Sequence, residues 1–391
     1  MEINRSIETT PLLSGKLRIL SLLAIGCVVL QHASYGVSTE NATGLLYRDL
    51  VSLGFADFPV PYFFIVSGFF FMKKYSPTFK WYGGELSKRL KTLALPYFIF
   101  CTLGILVYRS FSYEALLKDY GITDLLPVVG SLWYVRTLFV LCVCSPLMIA
   151  VAELLARHRT VRLCALFLLP FLLIPRLPCQ SSVIAPVVYF TFGIFLSRFG
   201  ACLVTVPLRR KLLGAMALLA ILLPLKLAHS FAAPSAEPIL RKAMIPGTLA
   251  LVWFGYDWFY AHFPRLERGL SLIPDFIVRA TFFIYCSESF IRLFLDKVLL
   301  VPCGCTGILR TPLGAVAWAT LAIAFSLLLA GCLGKFAPQA YAVLSGGRGG
   351  RKRSEASGVA RRILQPDRMG DRPMNAATLP RVKRRRRQTL I

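Results

Sequence analysis

Apolar residues run along this chain in long blocks rather than alternating with polar ones. The first block, Leu17 to Gly36, reads LRILSLLAIGCVVLQHASYG, and His32 is the ionisable residue deep within it. Nine more follow: Leu53–Met72, Thr92–Tyr108, Ser131–Ala152, Leu163–Pro175, Val183–Phe199, Leu212–Phe231, Ala243–Ala261, Phe276–Phe294 and Pro312–Lys335. Runs of about 17 to 25 apolar residues are what a hydrocarbon core of about 30 Å demands of a helix. The pattern predicts an all-α, polytopic integral membrane protein with about ten transmembrane helices.

Composition supports that class, and charge orients it. Hydrophobic residues make up 56% and charged residues 16% of the chain, which excludes an ordinary soluble domain. The net charge of +26 suggests nucleic acid until its distribution is read. From Lys335 onward there are 15 Lys and Arg against 3 Asp and Glu, so a surplus of 12 lies in the tail. Most of the rest sits in alternate loops. Arg5, Lys16 and Arg18 precede the first span, and Lys73, Lys74, Lys80, Lys88, Arg89 and Lys91 face the single acid Glu85 after the second. Arg157, Arg159 and Arg162, then Arg198, Arg209, Arg210 and Lys211, then Arg265 and Arg268 continue the series. Basic short loops mark the cytoplasmic side. The expectation is a multi-pass protein of the plasma (inner) membrane with both termini in the cytoplasm.

Three regions follow: a cytoplasmic N-terminus over 1–16, a transmembrane domain over 17–335, and a basic tail over 336–391. The tail is rich in Gly, Arg and Ser, ends in VKRRRRQTLI, and is expected to be disordered. Its predicted partner is the anionic lipid surface, not nucleic acid. The first block lacks the small-x-small site of a cleaved signal peptide. Eight of the 11 Cys fall in apolar runs as small hydrophobes. Cys179, Cys303 and Cys305 lie in loops, where a bridge from Cys179 to either of the others is open. No His or Cys pair has zinc spacing.

Candidate chemistry begins with His32. An ionisable group inside a membrane helix costs roughly 2.5 kcal/mol or more and so points to function; the alternative is a neutral imidazole bonding across a helix pair. Pro59 and Pro61, inside the second block with Ser67 and Gly68, imply backbone that lines a cavity. Arg136, six residues into the fourth block beside Trp133 and Tyr134, is either functional or a snorkelling side chain. Polar residues at membrane depth, Lys226, Arg279 and Glu288, also suit a transporter or flippase of a lipid-linked sugar or small solute. No inverted repeat supports that class.

The order of short signatures is more specific than any one of them. His32 at the end of the first span is followed by PYFFIVSGFFF (61–71), KRLKTLALPY (88–97), SLWYVRTLFVLCVCSPL (131–147) and TFFIYCSESF (281–290). In this order they resemble the membrane acyltransferase 3 family over residues 14–335. The resemblance implies transfer of an acyl group, usually acetyl, from cytoplasmic acetyl-CoA or another acyl-CoA to a hydroxyl of an extracellular or periplasmic glycan. No bound cofactor is implied; the coenzyme is a donor substrate, and the partners are the bilayer, the donor and the glycan acceptor.

On this resemblance His32 is the catalytic base, or the carrier of a covalent acyl group. Arg136, Trp133, Tyr134, Ser67 and Tyr285 then belong to the substrate and donor site, and Arg18, Lys88 and Arg89 to the donor's cytoplasmic approach. Lys88 and Arg89 also read as plain topology markers. The sequence departs from the family at two places. Ser21 stands where many members have an arginine, and Arg18, about 21 Å along the helix from His32, is the nearest substitute. Glu288 stands where a histidine is common. It either orients His32 as a second catalytic residue or pairs with Arg292 one turn along its own helix, and the local pair needs no tertiary assumption.

Overall fold

The computed structural model describes residues 11–108 except 53, 132–158, 185–199, 206–232, 237–263, 272–295 and 310–348, with isolated positions at 161, 269, 302 and 307. All regular structure among them is helical. The predicted span at 163–175, the segment 109–130 and the loop cysteines Cys179, Cys303 and Cys305 lie outside the described residues.

Helix α1 (Pro11–Ser34) carries the first apolar block. The expected loop after it holds a short helix α2 (Ala42–Tyr47), a π turn over Arg48–Ser52 and a 3₁₀ turn over Phe55–Asp57. Helix α3 (Pro59–Lys73) starts where its prolines stand. The helix lines a cavity as expected, through Tyr62, Ile65, Val66, Phe69 and Phe70, but its prolines are not the cause: both lie in the first turn, where the missing N–H would have had no intrahelical partner.

The basic stretch after α3 is not a loop. It forms an amphipathic helix α4 (Phe79–Arg89), capped by Thr78 Oγ1 accepting from the Trp81 N–H, and it runs through a π turn (Leu90–Ala94) into α5 (Leu95–Tyr108). Pro96, near the start of the predicted span Thr92–Tyr108, is thus inside a continuous helical run. The π turn resolves the conflict, because widening the ladder to the Leu95 N–H to Leu90 carbonyl bond makes room for a ring that would clash in an α-helix.

The predicted fourth span is two helices, α6 (Trp133–Val143) and α7 (Ser145–Ala156), bent by 69°. Pro146 enters at the start of α7, and Ser145 Oγ donates to the Cys142 carbonyl at 2.8 Å, which satisfies an acceptor freed by the bend. Helices α8 (Ala185–Phe199), α9 (Leu208–Ala232), α10 (Glu237–His262), α11 (Asp275–Leu295) and α12 (Pro312–Phe336) match the remaining blocks to within a few residues. Among the described residues four helices are long and apolar enough to span a membrane, five if the bent pair counts as one span. Ten are not reached: α8 is short, while α10 and α11 carry charges. The chain is a multi-pass helical membrane protein.

Order also continues past the predicted boundary at 335. Helix α13 (Pro338–Leu344) follows α12 at once and buries Tyr341 against Phe283 of α11, ring centroids 5.6 Å apart.

Packing in the bundle is tightest where α3 crosses α8. A Cβ built on Gly68 would come within 2.1 Å of the Phe190 carbonyl oxygen, and one on Gly193 within 2.1 Å of that of Ile65. Such approach of two backbones is available only to glycine. The hairpin α9–α10 is held differently, by polar contacts. Arg241 forks onto Asp57, which also accepts from Gln31 at 3.0 Å. Buried Lys226 donates to the Asp49 carbonyl at 2.7 Å. At the other end Lys16 bonds both oxygens of Asp257 at 2.8 and 2.9 Å and lies 3.8 Å over the Trp253 ring. Between these ties lies an apolar cavity of about 740 Å³ rimmed by Arg210 and Lys211, and His32 is not part of it.

Candidate active site

Helices α1 and α11 run parallel, and two polar clips fix their register. Arg18 Nη1 lies 2.8 Å from Asp275 Oδ1, and its other terminal nitrogen donates to the Ile273 carbonyl just before α11. His32 Nδ1 lies 3.0 Å from Glu288 Oε2. The intervals are 14 residues on α1 and 13 on α11, so both helices climb about 20 Å between clips. A third contact seals the upper end, where Arg292 donates to the His32 carbonyl at 3.0 Å. That carbonyl belongs to the last turn of α1 and has no intrahelical donor.

The reading of Glu288 and Arg292 as a local pair is therefore corrected. An i,i+4 pair is worth only about 0.2–0.5 kcal/mol, whereas an unpartnered buried carboxylate costs several kcal/mol. Here the guanidinium serves the end of α1, and the carboxylate, 3% exposed, takes its bonds from the imidazole and from Ser289 Oγ at 3.3 Å. A carboxylate only accepts, so Nδ1 carries the proton, and in the neutral ring Nε2 is the nitrogen with the lone pair. The His32 side chain is 18% exposed and stacks beside Tyr35, itself open to solvent. The ring is thus braced on one side and accessible on the other.

One turn down α11 a second group converges. Tyr285 packs edge-on to Tyr134, centroids 5.6 Å apart, and bonds its backbone; the Tyr134 hydroxyl bonds the Ser67 side chain. Phe64 lies 4.7 Å from the Tyr134 ring and 6.4 Å from Trp133. Ser67, Tyr134 and Tyr285, chosen from three separate signatures, thus form one polar layer in an aromatic wall. The layer sits directly below the His32–Glu288 pair because residues 285 and 288 share a helix face.

Other expected site residues fall elsewhere. Arg18 is a helix clip at the opposite end. Arg136 lines a separate cavity of about 440 Å³ with Thr137, Cys144 and Thr191, and not the His32 site. Tyr134, two residues earlier, belongs to the polar layer, as expected where a spacing of two puts side chains on opposite faces of a helix. Lys88 is exposed, and Arg89 pairs with Glu85 at 2.7 Å along α4. The residues overlooked as a group are Gln31, Asp57 and Arg241, which brace the turn of α1 that carries His32. The signal was Gln31 itself, a second polar residue next to His32 at membrane depth.

A family model described as an acyltransferase domain matches residues 17–335. The chain belongs to the acyltransferase 3 family. This acyltransferase is accordingly an enzyme that transfers acyl groups other than aminoacyl groups. No curated protein and no solved structure shows a significant match to it. Within the matched residues lie both the His32–Glu288 pair and the Ser67–Tyr134–Tyr285 layer.

Proposed function

We propose that this acyltransferase moves an acetyl group from cytoplasmic acetyl-CoA to a hydroxyl of a glycan on the far side of the plasma membrane, with His32 as general base and Glu288 as its positioning partner. The observation that carries the proposal is the 3.0 Å contact between His32 Nδ1 and the buried Glu288 carboxylate, which makes Nε2 the base of the neutral ring, in a side chain that is 18% exposed.

In the proposed step Nε2 takes the proton of the acceptor hydroxyl as its oxygen attacks the thioester carbonyl carbon. A tetrahedral oxyanion forms, the C–S bond breaks, and the coenzyme thiolate leaves and takes the proton back from the imidazolium. Glu288 stabilises the transient imidazolium, as a third group does behind other catalytic bases. The Tyr134 and Tyr285 layer lies on the donor's path from the Arg18 end, which the positive-inside rule puts in the cytoplasm. Purified His32→Ala protein in nanodiscs, given acetyl-CoA and a polysaccharide acceptor, is expected to lose transfer by about 10²–10⁴-fold, read as thiol release and as O-acetyl signals in NMR spectra of the glycan. Unchanged acetylation overturns the assignment.

The transporter reading is weaker. Two of its polar residues at depth are tied up between elements, Lys226 on the Asp49 carbonyl and Glu288 on His32, and Arg279 lies 3.8 Å from Asp275 one turn away on its own helix.

A further inference from the structure

The chain beyond the family domain returns to the domain's interior. Helix α13 ends in a Schellman turn: the Gly347 N–H bonds the Ala342 carbonyl at 2.7 Å and the Gly346 N–H bonds that of Val343 at 3.0 Å. Gly346 has φ +63° and Gly347 φ +79°, a conformation that favours glycine. A Cβ on Gly346 would also meet the Thr92 carbonyl oxygen at 2.4 Å, so the turn is pressed against the π turn that follows Arg89. Ser345 is fully buried beside it. This anchoring delivers the next residue, Arg348, onto the ring of Phe282, with the guanidinium carbon 4.5 Å from its centroid.

Phe282 lies one turn below Tyr285, on the adjoining face of α11, and six residues, a rise of about 9 Å, below Glu288. Arg348 thus stands on the track that leads down from His32. It is exposed to solvent, while desolvation by the nearby protein lowers its pKa; Tyr134 and Cys286 oppose that effect, and Arg89 adds to it. Arg89 and Arg348 both act electrostatically on Tyr134. Glu85 serves Arg89, and among the described residues Arg348 has no carboxylate partner. Arg348 thus adds a positive charge on the side of Tyr134 where Arg89 also acts, an arrangement that favours an anion beside them.

We propose that Arg348, with Arg89, binds the phosphoryl groups of the coenzyme A donor, so that the segment 337–348 completes a donor site whose reacting end lies at His32. The inference rests on the acyl-CoA reading above and adds the recognition element. Pairs of guanidiniums match phosphate oxygens with forked hydrogen bonds. The aromatic and tyrosine-lined track between Phe282 and Glu288 suits the uncharged pantetheine arm, which must lie between the phosphates and the thioester. The same two arginines would also suit a phospholipid headgroup, and the test separates these sources.

The test compares acetyl-CoA with S-acetylpantetheine, which lacks the phosphates, on the full chain in nanodiscs. Arg348→Ala is expected to raise KM for acetyl-CoA at least tenfold, to leave kcat within about twofold, and to leave acetylpantetheine kinetics unchanged. Arg348→Lys is expected to fall between, because it keeps charge and loses the fork. Equal changes with both donors, or none with either, overturn the proposal. So does a variant whose acetyl-CoA KM is normal while stimulation by phosphatidylglycerol over phosphatidylcholine nanodiscs is lost, since that assigns the arginine to lipid. Wild-type protein that turns over acetyl-CoA while Arg348→Ala matches it defeats this inference alone; wild-type protein that uses neither thioester defeats the acyl-CoA reading with it.

Discussion

At the residue scale the deciding feature is how two polar groups in an apolar bundle satisfy each other. Glu288 is nearly sealed and His32 is not, so the carboxylate fixes one nitrogen of the ring, and the proposed mechanism assigns the other to the acceptor hydroxyl. Glu288→Gln should preserve the fold, because an amide oxygen still accepts from Nδ1, but it removes the charge that stabilises imidazolium. Transfer is expected to fall at least tenfold, toward the roughly 10⁴-fold known for such a change behind a catalytic histidine. The loss should appear in kcat, with KM for the donor little altered. An intact kcat would reduce Glu288 to a structural bond. Arg18→Ala should behave in the opposite way. It breaks a clip about 20 Å from the reacting end, so stability is expected to drop while the remaining folded enzyme keeps its kcat; a selective loss of kcat would return Arg18 to the site.

At the element scale, helix ends and crossings carry the architecture. Prolines 59, 61 and 146 begin helices, and Pro96 is absorbed by a π turn. The α3–α8 crossing depends on Gly68 and Gly193 meeting opposing backbone. Gly68→Ala must push the helices apart, and since Ser67 of the polar layer is the adjacent residue, both stability and activity should suffer. Overpacking of this kind costs about 1–3 kcal/mol. A lower melting midpoint in detergent, together with reduced transfer, is the expected result, and a midpoint equal to wild type would mean that the helices do not approach so closely. Lys226→Met tests the hairpin tie. Leaving the Asp49 carbonyl without its charged donor should destabilise by about 1–3 kcal/mol, and proteolysis between α9 and α10 should quicken; unaltered proteolysis and stability would assign the tie no weight.

Over the whole molecule, the parallel α1–α11 pair divides the enzyme into two ends. The Arg18 end carries the clip to Asp275, the Lys16–Asp257 tie and the Arg210 and Lys211 rim, while the His32 end carries the proposed chemistry. The orientation proposed from loop charges puts both termini inside the cell. Alkaline phosphatase fused after residue 391 should therefore be inactive and a fluorescent protein there should glow; active phosphatase would invert the membrane sidedness of donor and acceptor.

Much of this was legible in the order of residues, because hydrocarbon imposes a length and a composition on every helix that crosses it. Apolar blocks located most helices to within a few residues, and a series of five signatures identified the family and singled out His32. Sequence spacing could not say which partner a charged residue takes. The choice between Arg292 and His32 for Glu288, the retreat of Arg136 to another cavity and the convergence of Ser67, Tyr134 and Tyr285 depend on which helix faces pack together. The return of residues 337–348 into the bundle was concealed for a related reason: a Ser-Gly-Gly-Arg turn has the composition of a solvated tail. Only the fit of Gly346 against the Thr92 carbonyl and of Arg348 on Phe282, contacts between segments more than 60 residues apart, makes it part of the enzyme.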